Sequence, residues 1–279
     1  MVRIITDSAA DLEPWEYESQ NITCIPLTVC IGQRDFQENV DLNKDQFYEL
    51  LATGEFPKTA QASPQILMDL FQEASAAGDE AVYITISSAL SGTYQSAVAT
   101  LRLSECEGCH VLDGLNATGG QRMLVEYAVK LRDAGASAAE IVEKVGALRS
   151  RIVLFACMDT LEYLYHGGRI SHTVYKLGSL AQVKPIIRVL EGRVEVPAKA
   201  MGMRKGMDYL CKRLEQQVPD ENFPLYVMYT GDRTNGETLR GRISELGYQV
   251  SDSRVINVGA AIGSHIGPGV CGLVYVEKE

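Results

Sequence analysis

Ser91 sits in the run Ser87-Ser-Ala-Leu-Ser-Gly-Thr-Tyr94, between an apolar, β-branched stretch (Ala81–Ile86) and a segment with helical spacing (Gly92–Leu103). A serine at such a junction reads as a helix cap, with the free N–H groups of the first turn pointing outward. That arrangement suits an anion. Three other polar side chains could serve the same anion. Thr59 lies in a polar loop, Lys58-Thr-Ala-Gln61, Arg169 follows Gly167-Gly168, and His265 stands in a glycine-rich loop, Gly263–Gly269. Each has an ordinary alternative, as a cap, a surface charge or an exposed loop residue. Ser91 with His265 also admits a second chemistry, nucleophilic attack by a serine hydrolase or esterase. Against it, Ala89 and Thr93 stand where a Gly-x-Ser-x-Gly elbow needs glycines.

The elements around these residues alternate through the first half. Val2–Thr6, Ala81–Ile86, Cys109–Leu112 and Ile152–Ala156 read as strands, with Ile22–Ile31 extended. Helices are expected over Asn43–Ala52, from Pro64 onward, and over Gly92–Leu103, Gly120–Asp133 and Ala138–Arg149. This βαβα order predicts an α/β chain whose amino-terminal sheet is mostly parallel, with helices on both faces. Ligands of such sheets sit beyond the carboxyl ends of the strands, where Asp7-Ser8, Ser87–Ser91 and Asp113–Thr118 fall.

The second half predicts helices at Thr160–His166, Ser171–Leu180, Lys205–Gln217 and Asn235–Leu246. A hairpin is expected over Lys184–Ala198, and strands over Leu225–Tyr229, Gln249–Arg254 and Cys271–Val276. These make a carboxyl-terminal α/β domain with a mixed sheet. The expected division is 1–158 and 159–279, with a ligand between the two.

Composition narrows the function. A net charge of −10 over 279 residues disfavours nucleic acid and anionic membranes as partners. No apolar run approaches the ~20 residues of a spanning helix, and the chain enters a strand directly, so a cytoplasmic protein is expected. Seven scattered cysteines read as free thiols; the Cys106-Glu-Gly-Cys109 pair lacks a second pair at metal-site spacing, so no metal is expected. Gly267-Pro-Gly-Val-Cys-Gly272 matches Gly-x-Gly-x-x-Gly but precedes the last strand, leaving no room for a dinucleotide unit. No phosphate-binding loop occurs either, so no nucleotide cofactor is expected.

Taken in order, Thr6-Asp-Ser-Ala-Ala-Asp-Leu12, Lys58–Gln61, Ser87–Tyr94, Val111-Leu-Asp113, Gly167-Gly-Arg-Ile-Ser171, Val183-Lys-Pro-Ile186 and His265-Ile-Gly-Pro-Gly269 resemble the DegV family. These are bacterial fatty-acid-binding proteins that serve as acyl-carrying subunits of fatty acid kinase. The resemblance implies two α/β domains around a buried acyl chain and no catalytic residue of its own. The carboxylate would be bound by Thr59, Ser91 and His265 with support from Arg169, and Gly92, Asn116, Ala117 and Gly267 would belong to the supporting head-group loops. A separate ATP-dependent kinase subunit would phosphorylate the carboxylate, feeding acyl phosphate to phospholipid synthesis. Two features depart from the family. Ala89 replaces a glycine, and Met201 and Met203 stand where arginines implicated in engaging the kinase are found. Lipid binding is therefore a firmer expectation than kinase coupling. A carrier of another acidic lipid is the remaining alternative.

Overall fold

Burial on both faces explains the first sheet of the computed structural model, which describes residues 1–178 and 182–279. In chain order its elements begin with β1 (Val2–Asp7), α1 (Pro14–Ser19), β2 (Ile22–Ile25), β3 (Thr28–Ile31), β4 (Arg34–Gln37), α2 (Lys44–Leu51) and β5 (Lys58–Ala60). Next come α3 (Pro64–Ala77), β6 (Glu80–Thr85), α4 (Thr93–Ser104), β7 (Cys109–Asp113), α5 (Gly119–Asp133), α6 (Ala138–Leu148) and β8 (Ile152–Cys157). The rest are α7 (Glu162–His166), α8 (His172–Gly178), β9 (Val183–Leu190), β10 (Arg193–Met201), α9 (Met203–Gln216), β11 (Tyr226–Tyr229), α10 (Thr234–Glu245), β12 (Val255–Asn257), α11 (Ala260–Ile266) and β13 (Cys271–Val276).

Strands β2, β1, β6 and β7 form an all-parallel sheet in that order. Ile5, Ala81 and Tyr83 face α3 and α4, while Ile4, Val82 and Ile84 face α5 and α6. Successive side chains of a strand point to opposite faces, so a strand covered on both sides reads as a continuous apolar run. The expected parallel sheet with helices on both faces is what forms.

The second sheet has the order β10-β9-β8-β13-β11-β12 and is mixed: only β11 and β12 run parallel. Its Val153, Phe155, Leu273 and Tyr275 pack on α9 and α10. Its Leu154, Met228 and Val274 join the core that α5 shares with the first sheet. A third, antiparallel sheet (β4-β3-β5) flanks them.

Four expectations fail here. Ile152–Ala156, read as a strand of the parallel half, forms most of β8 and pairs antiparallel with β9 and β13, because burial on both faces hides strand direction from the sequence pattern. Ile22–Ile31 breaks at Pro26, which lacks an N–H for the ladder, and splits into β2 and β3 in different sheets. Lys58–Gln61, read as a loop, contains strand β5, too short and too polar to show a period. Strand Gln249–Arg254 is instead β12 at Val255–Asn257, since the polar Ser251–Arg254 stretch turns before it. The expected end of the helix Ser171–Leu180 lies outside the described residues.

One buried ion pair ties the layers together. Arg122 of α5 donates to both carboxylate oxygens of Glu16 on α1, and its Nε donates to Glu126 at 2.9 Å. The guanidinium also lies 5.2 Å from the ring centroid of Tyr226 on β11. Both partners are buried, so removing one leaves an uncompensated charge. Arg122→Ala is expected to lower the unfolding free energy by about 3–5 kcal/mol in urea titrations. A loss below about 1 kcal/mol would contradict this account.

Candidate functional site

Two aspartates shape the turn that carries Ser91. Asp7, at the end of β1, accepts from Ile86 N at 2.9 Å, Ala9 N at 3.2 Å and Gln121 Nε2 at 3.0 Å. Burial, only partly offset by these donors, raises its carboxyl to about 6. Asp113, at the end of β7, accepts from Ser88 N and Leu115 N, each at 3.0 Å. Ser87 Oγ then donates to Gly192 O in the β9–β10 turn at 2.7 Å. The turn is therefore fixed from three sides before α4 begins.

Ser91 itself is not the helix cap that its position suggested. The helix starts at Thr93 with Gly92 in the capping place. Ser91 Oγ lies 2.9 Å from Thr93 Oγ1 and accepts from Thr93 N at 3.3 Å. The capping place thus lies one residue later than expected, at a glycine packed beside the side chain of Gln61.

His265 is not on a loop. Gly259 and Ala261 donate their N–H groups to Asp11 Oδ1 (2.8 Å) and Glu38 Oε1 (3.0 Å), and α11 runs from there through Ile266. Gly263 sits inside the helix because a Cβ there would meet Phe47 Cε1 at 2.7 Å and Tyr48 Oη at 2.8 Å. Close packing thus requires a residue that local propensity reads as a helix breaker. His265 Nε2 is hydrogen-bonded to Thr59 Oγ1 at 2.8 Å, joining α11 to β5. Burial, with the nearby charge of Arg169, pushes the imidazole down to about 3, so it is neutral near pH 7. Its Nδ1 is buried without a hydrogen-bond partner among the described residues and lies against Gly167, where a Cβ would come within 2.2 Å. Arg169 donates through Nε to Leu90 O at 3.0 Å and through Nη1 to Gly167 O. The guanidinium is thereby anchored to the loop that carries Ser91.

These four residues line one cavity, which is partly open at its mouth. Thr59, Ser91, Arg169 and His265 form its polar end; most of the remaining wall is aliphatic, including Leu27, Ile86, Ile187 and Ile262. Ala117 lines it as well. Gly92 lies in an adjoining open groove with Arg169 and Arg193. Neither Asn116 nor Gly267 lines the cavity. Asn116 O instead accepts from Ser87 N at 2.9 Å, bracing the Ser91 turn. Gly267 lets the ring of Tyr163 approach, to within 2.3 Å of where a Cβ would stand. The wall residue Thr118 ends the Asp113–Thr118 turn expected at the ligand end of the sheet, whereas Met228 escaped sequence reasoning, since nothing local marks it. A neutral imidazole, two hydroxyls and one guanidinium at the end of an apolar cavity suit a long amphiphile with one negative charge. They do not make a hydrolytic triad. His265 Nε2 is engaged by Thr59, Ser91 Oγ by Thr93, and among the described residues no carboxylate orients Nδ1.

The sequence profile described as "Uncharacterised protein, DegV family" matches residues 1–278. The chain belongs to the DegV family. A DegV domain-containing protein of Caldanaerobacter subterraneus subsp. tengcongensis is 32% identical over 279 residues, covering 99% of each chain. Among solved structures, a stearic acid-binding protein from Eubacterium ventriosum superposes with a TM-score of 0.89 at 26% identity, covering 100% of this chain and 99% of that one. A fatty-acid-binding DegV family protein from Thermus thermophilus gives 0.89 at 27% identity, and DegV of Bacillus subtilis, a fatty acid binding protein, gives 0.83 at 26%. Each of these two matches covers 99% of both chains. No helix among the described residues is long and apolar enough to cross a membrane.

The carboxyl groups that hold α11 in this DegV chain give the site a pH signature. Burial raises Asp11 to about 6 and Glu38 to about 7, the latter also through the neighbouring charge of Asp11. The folded state therefore binds these protons more tightly than the unfolded chain, where carboxyls titrate near 4. Their stabilisation is complete below about pH 4 and is lost as pH rises through about 7. Glu38→Gln retains an acceptor for Ala261 N but cannot ionise. Relative to wild type, its stability in urea titrations should rise between pH 4.5 and 7.5 by up to about 3 kcal/mol. A difference that does not change with pH would contradict the assignment.

Proposed function

We propose that this DegV protein is a cytoplasmic, non-catalytic binder of a long-chain fatty acid, with the acyl chain in the apolar cavity and the carboxylate at its polar end. The observation that carries this reading is the convergence of Thr59, Ser91, Arg169 and His265, from four separate segments, on one end of a single aliphatic cavity. Fatty-acid binding by relatives that match over nearly the whole chain supports it. A sixteen-carbon tail would bury roughly 14 methylenes, worth on the order of 11 kcal/mol before the costs of association. The ligand should therefore survive purification.

Because His265 is neutral at pH 7, it serves as a hydrogen-bonding group and Arg169 supplies the positive charge. Burial lowers the pKa of Arg169, yet a guanidinium stays protonated throughout the accessible range. We further propose that the bound carboxylate is presented through the groove lined by Ser88, Gln95, Arg169 and Arg193 to a separate ATP-dependent kinase subunit, leading to acyl phosphate for phospholipid synthesis. That partner would have to dock without the two family arginines. Met201 is 56% exposed, and Met203 Sδ is 3.7 Å from Cys271 Sγ in the second core.

Mass spectrometry of the purified, denatured protein should release a fatty acid. Failure both to release one and to take up added fatty acid would overturn the proposal. Arg169→Met is expected to weaken binding of a long-chain fatty acid by about 1.5–3 kcal/mol, and Ser91→Ala by about 1 kcal/mol, in titration calorimetry. Unchanged affinity in both variants would place the anion elsewhere.

A further inference from the structure

The strand register places four residues in one row across the inner face of the second sheet. Ile187 of β9 opposes Ala156 of β8, Ala156 opposes Gly272 of β13, and Gly272 opposes Met228 of β11. Directly opposed residues share a face, so the row reads large, small, none, large. Ala156 and Gly272 form the floor of a trough closed at each end by a bulky side chain. Three strand steps of roughly 4.8 Å put Met228 about 14 Å from Ile187. Ile187 belongs to the apolar cluster of Leu164 and Ile170, the residue after Arg169, and so marks the head-group side.

Helix α11 gives the same direction independently. Val258 N donates to Tyr229 O, next to Met228, at 2.9 Å, and the seven residues of α11 then carry the chain about 10 Å toward His265. Met228 thus stands at the end of the cavity opposite the polar groups.

Its thioether is held from three sides. Thr118 Oγ1 lies 3.5 Å from Met228 Sδ, a Cβ on Gly119 would meet the same sulfur at 3.2 Å, and a Cβ on Gly272 would meet Met228 Cε at 3.0 Å. Thr118 has φ 47° and ψ −131°, a backbone conformation unfavourable for a β-branched residue. It is kept there by its N–H, which donates to Ala9 O at 2.7 Å. Backbone strain of this kind collects at ligand-contacting positions.

We propose that the contact between Thr118 and Met228 is the end wall of the cavity and sets the longest acyl chain that this protein accepts. The inference rests on the fatty-acid reading above. Affinities for saturated fatty acids of 12 to 20 carbons, measured by competition, test it. Wild type should gain affinity with each added carbon up to a limiting length and lose it beyond. Met228→Ala removes three side-chain heavy atoms, so the limit should move to longer chains, with about a fourfold gain for each methylene newly housed. Thr118→Gly should move it the same way without the stability lost on opening a core methionine. If Met228→Ala does not fold, this variant decides. Variants that bind fatty acids with the wild-type length profile overturn the end wall. Absence of fatty-acid binding by wild type overturns the fatty-acid reading and the inference with it.

Discussion

The polar end of the cavity is assembled on a clamp of two buried carboxyl groups, Asp11 and Glu38, that hold the first N–H groups of α11. Asp11 follows the first strand of the parallel sheet, whereas Glu38 follows β4 of the small antiparallel sheet. The helix they grip leads into β13, one of the two central strands of the mixed sheet. One end of α11 is therefore fixed to two sheets and the other to the third. The same small sheet carries Thr59, whose hydroxyl meets His265. The separation of those two groups follows from where Glu38 holds the helix.

The clamp is electrostatically demanding, as the raised pKa values of both carboxyls show. Two features of the fold lower that demand. The amino end of a helix favours negative charge, and the ammonium group of Lys44, itself paired with Glu13, acts on both carboxyls. An apolar clamp could not serve the same purpose, because the N–H groups of Gly259 and Ala261 would be buried without acceptors. Position is gained here at the expense of stability near neutral pH.

The parts of this architecture that repeat a local rule were legible in the sequence. Cys271–Val276 was read to the residue, and the parallel sheet followed from strands such as Ala81–Ile86, whose burial on both faces leaves a continuous apolar signature. The four polar residues of the site were also legible, but only as an ordered set, since Thr59 alone carries no signal. What sequence reasoning missed has a common cause. The helical state of His265 and the strand at Lys58–Ala60 are both decided by contacts between distant segments. Gly263 shows this directly: it lies in a helix because Phe47 and Tyr48, more than two hundred residues earlier, leave no room for a side chain. The direction of β8 was hidden for a related reason, since an all-buried strand looks alike in parallel and antiparallel company.

Missing side chains also shape the cavity. Gly167 admits the ring of His265, and Gly272 with Ala156 leaves the trough that Met228 closes. The result is an environment in which one charge can be stabilised and a second cannot. Burial keeps the imidazole neutral, so among the described residues the guanidinium of Arg169 is the one positive group lining the cavity, and it is already tethered to Leu90 and Gly167. A ligand carrying a single carboxylate matches that charge and leaves the aliphatic walls to its tail. A dianionic or zwitterionic head group held wholly inside the cavity, away from Arg193 of the adjoining groove, would bring into the same end a charge with no counterpart, and desolvation would oppose its entry. The proposed preference for a simple acid thus rests on how little charge lines the cavity as much as on the donors it offers.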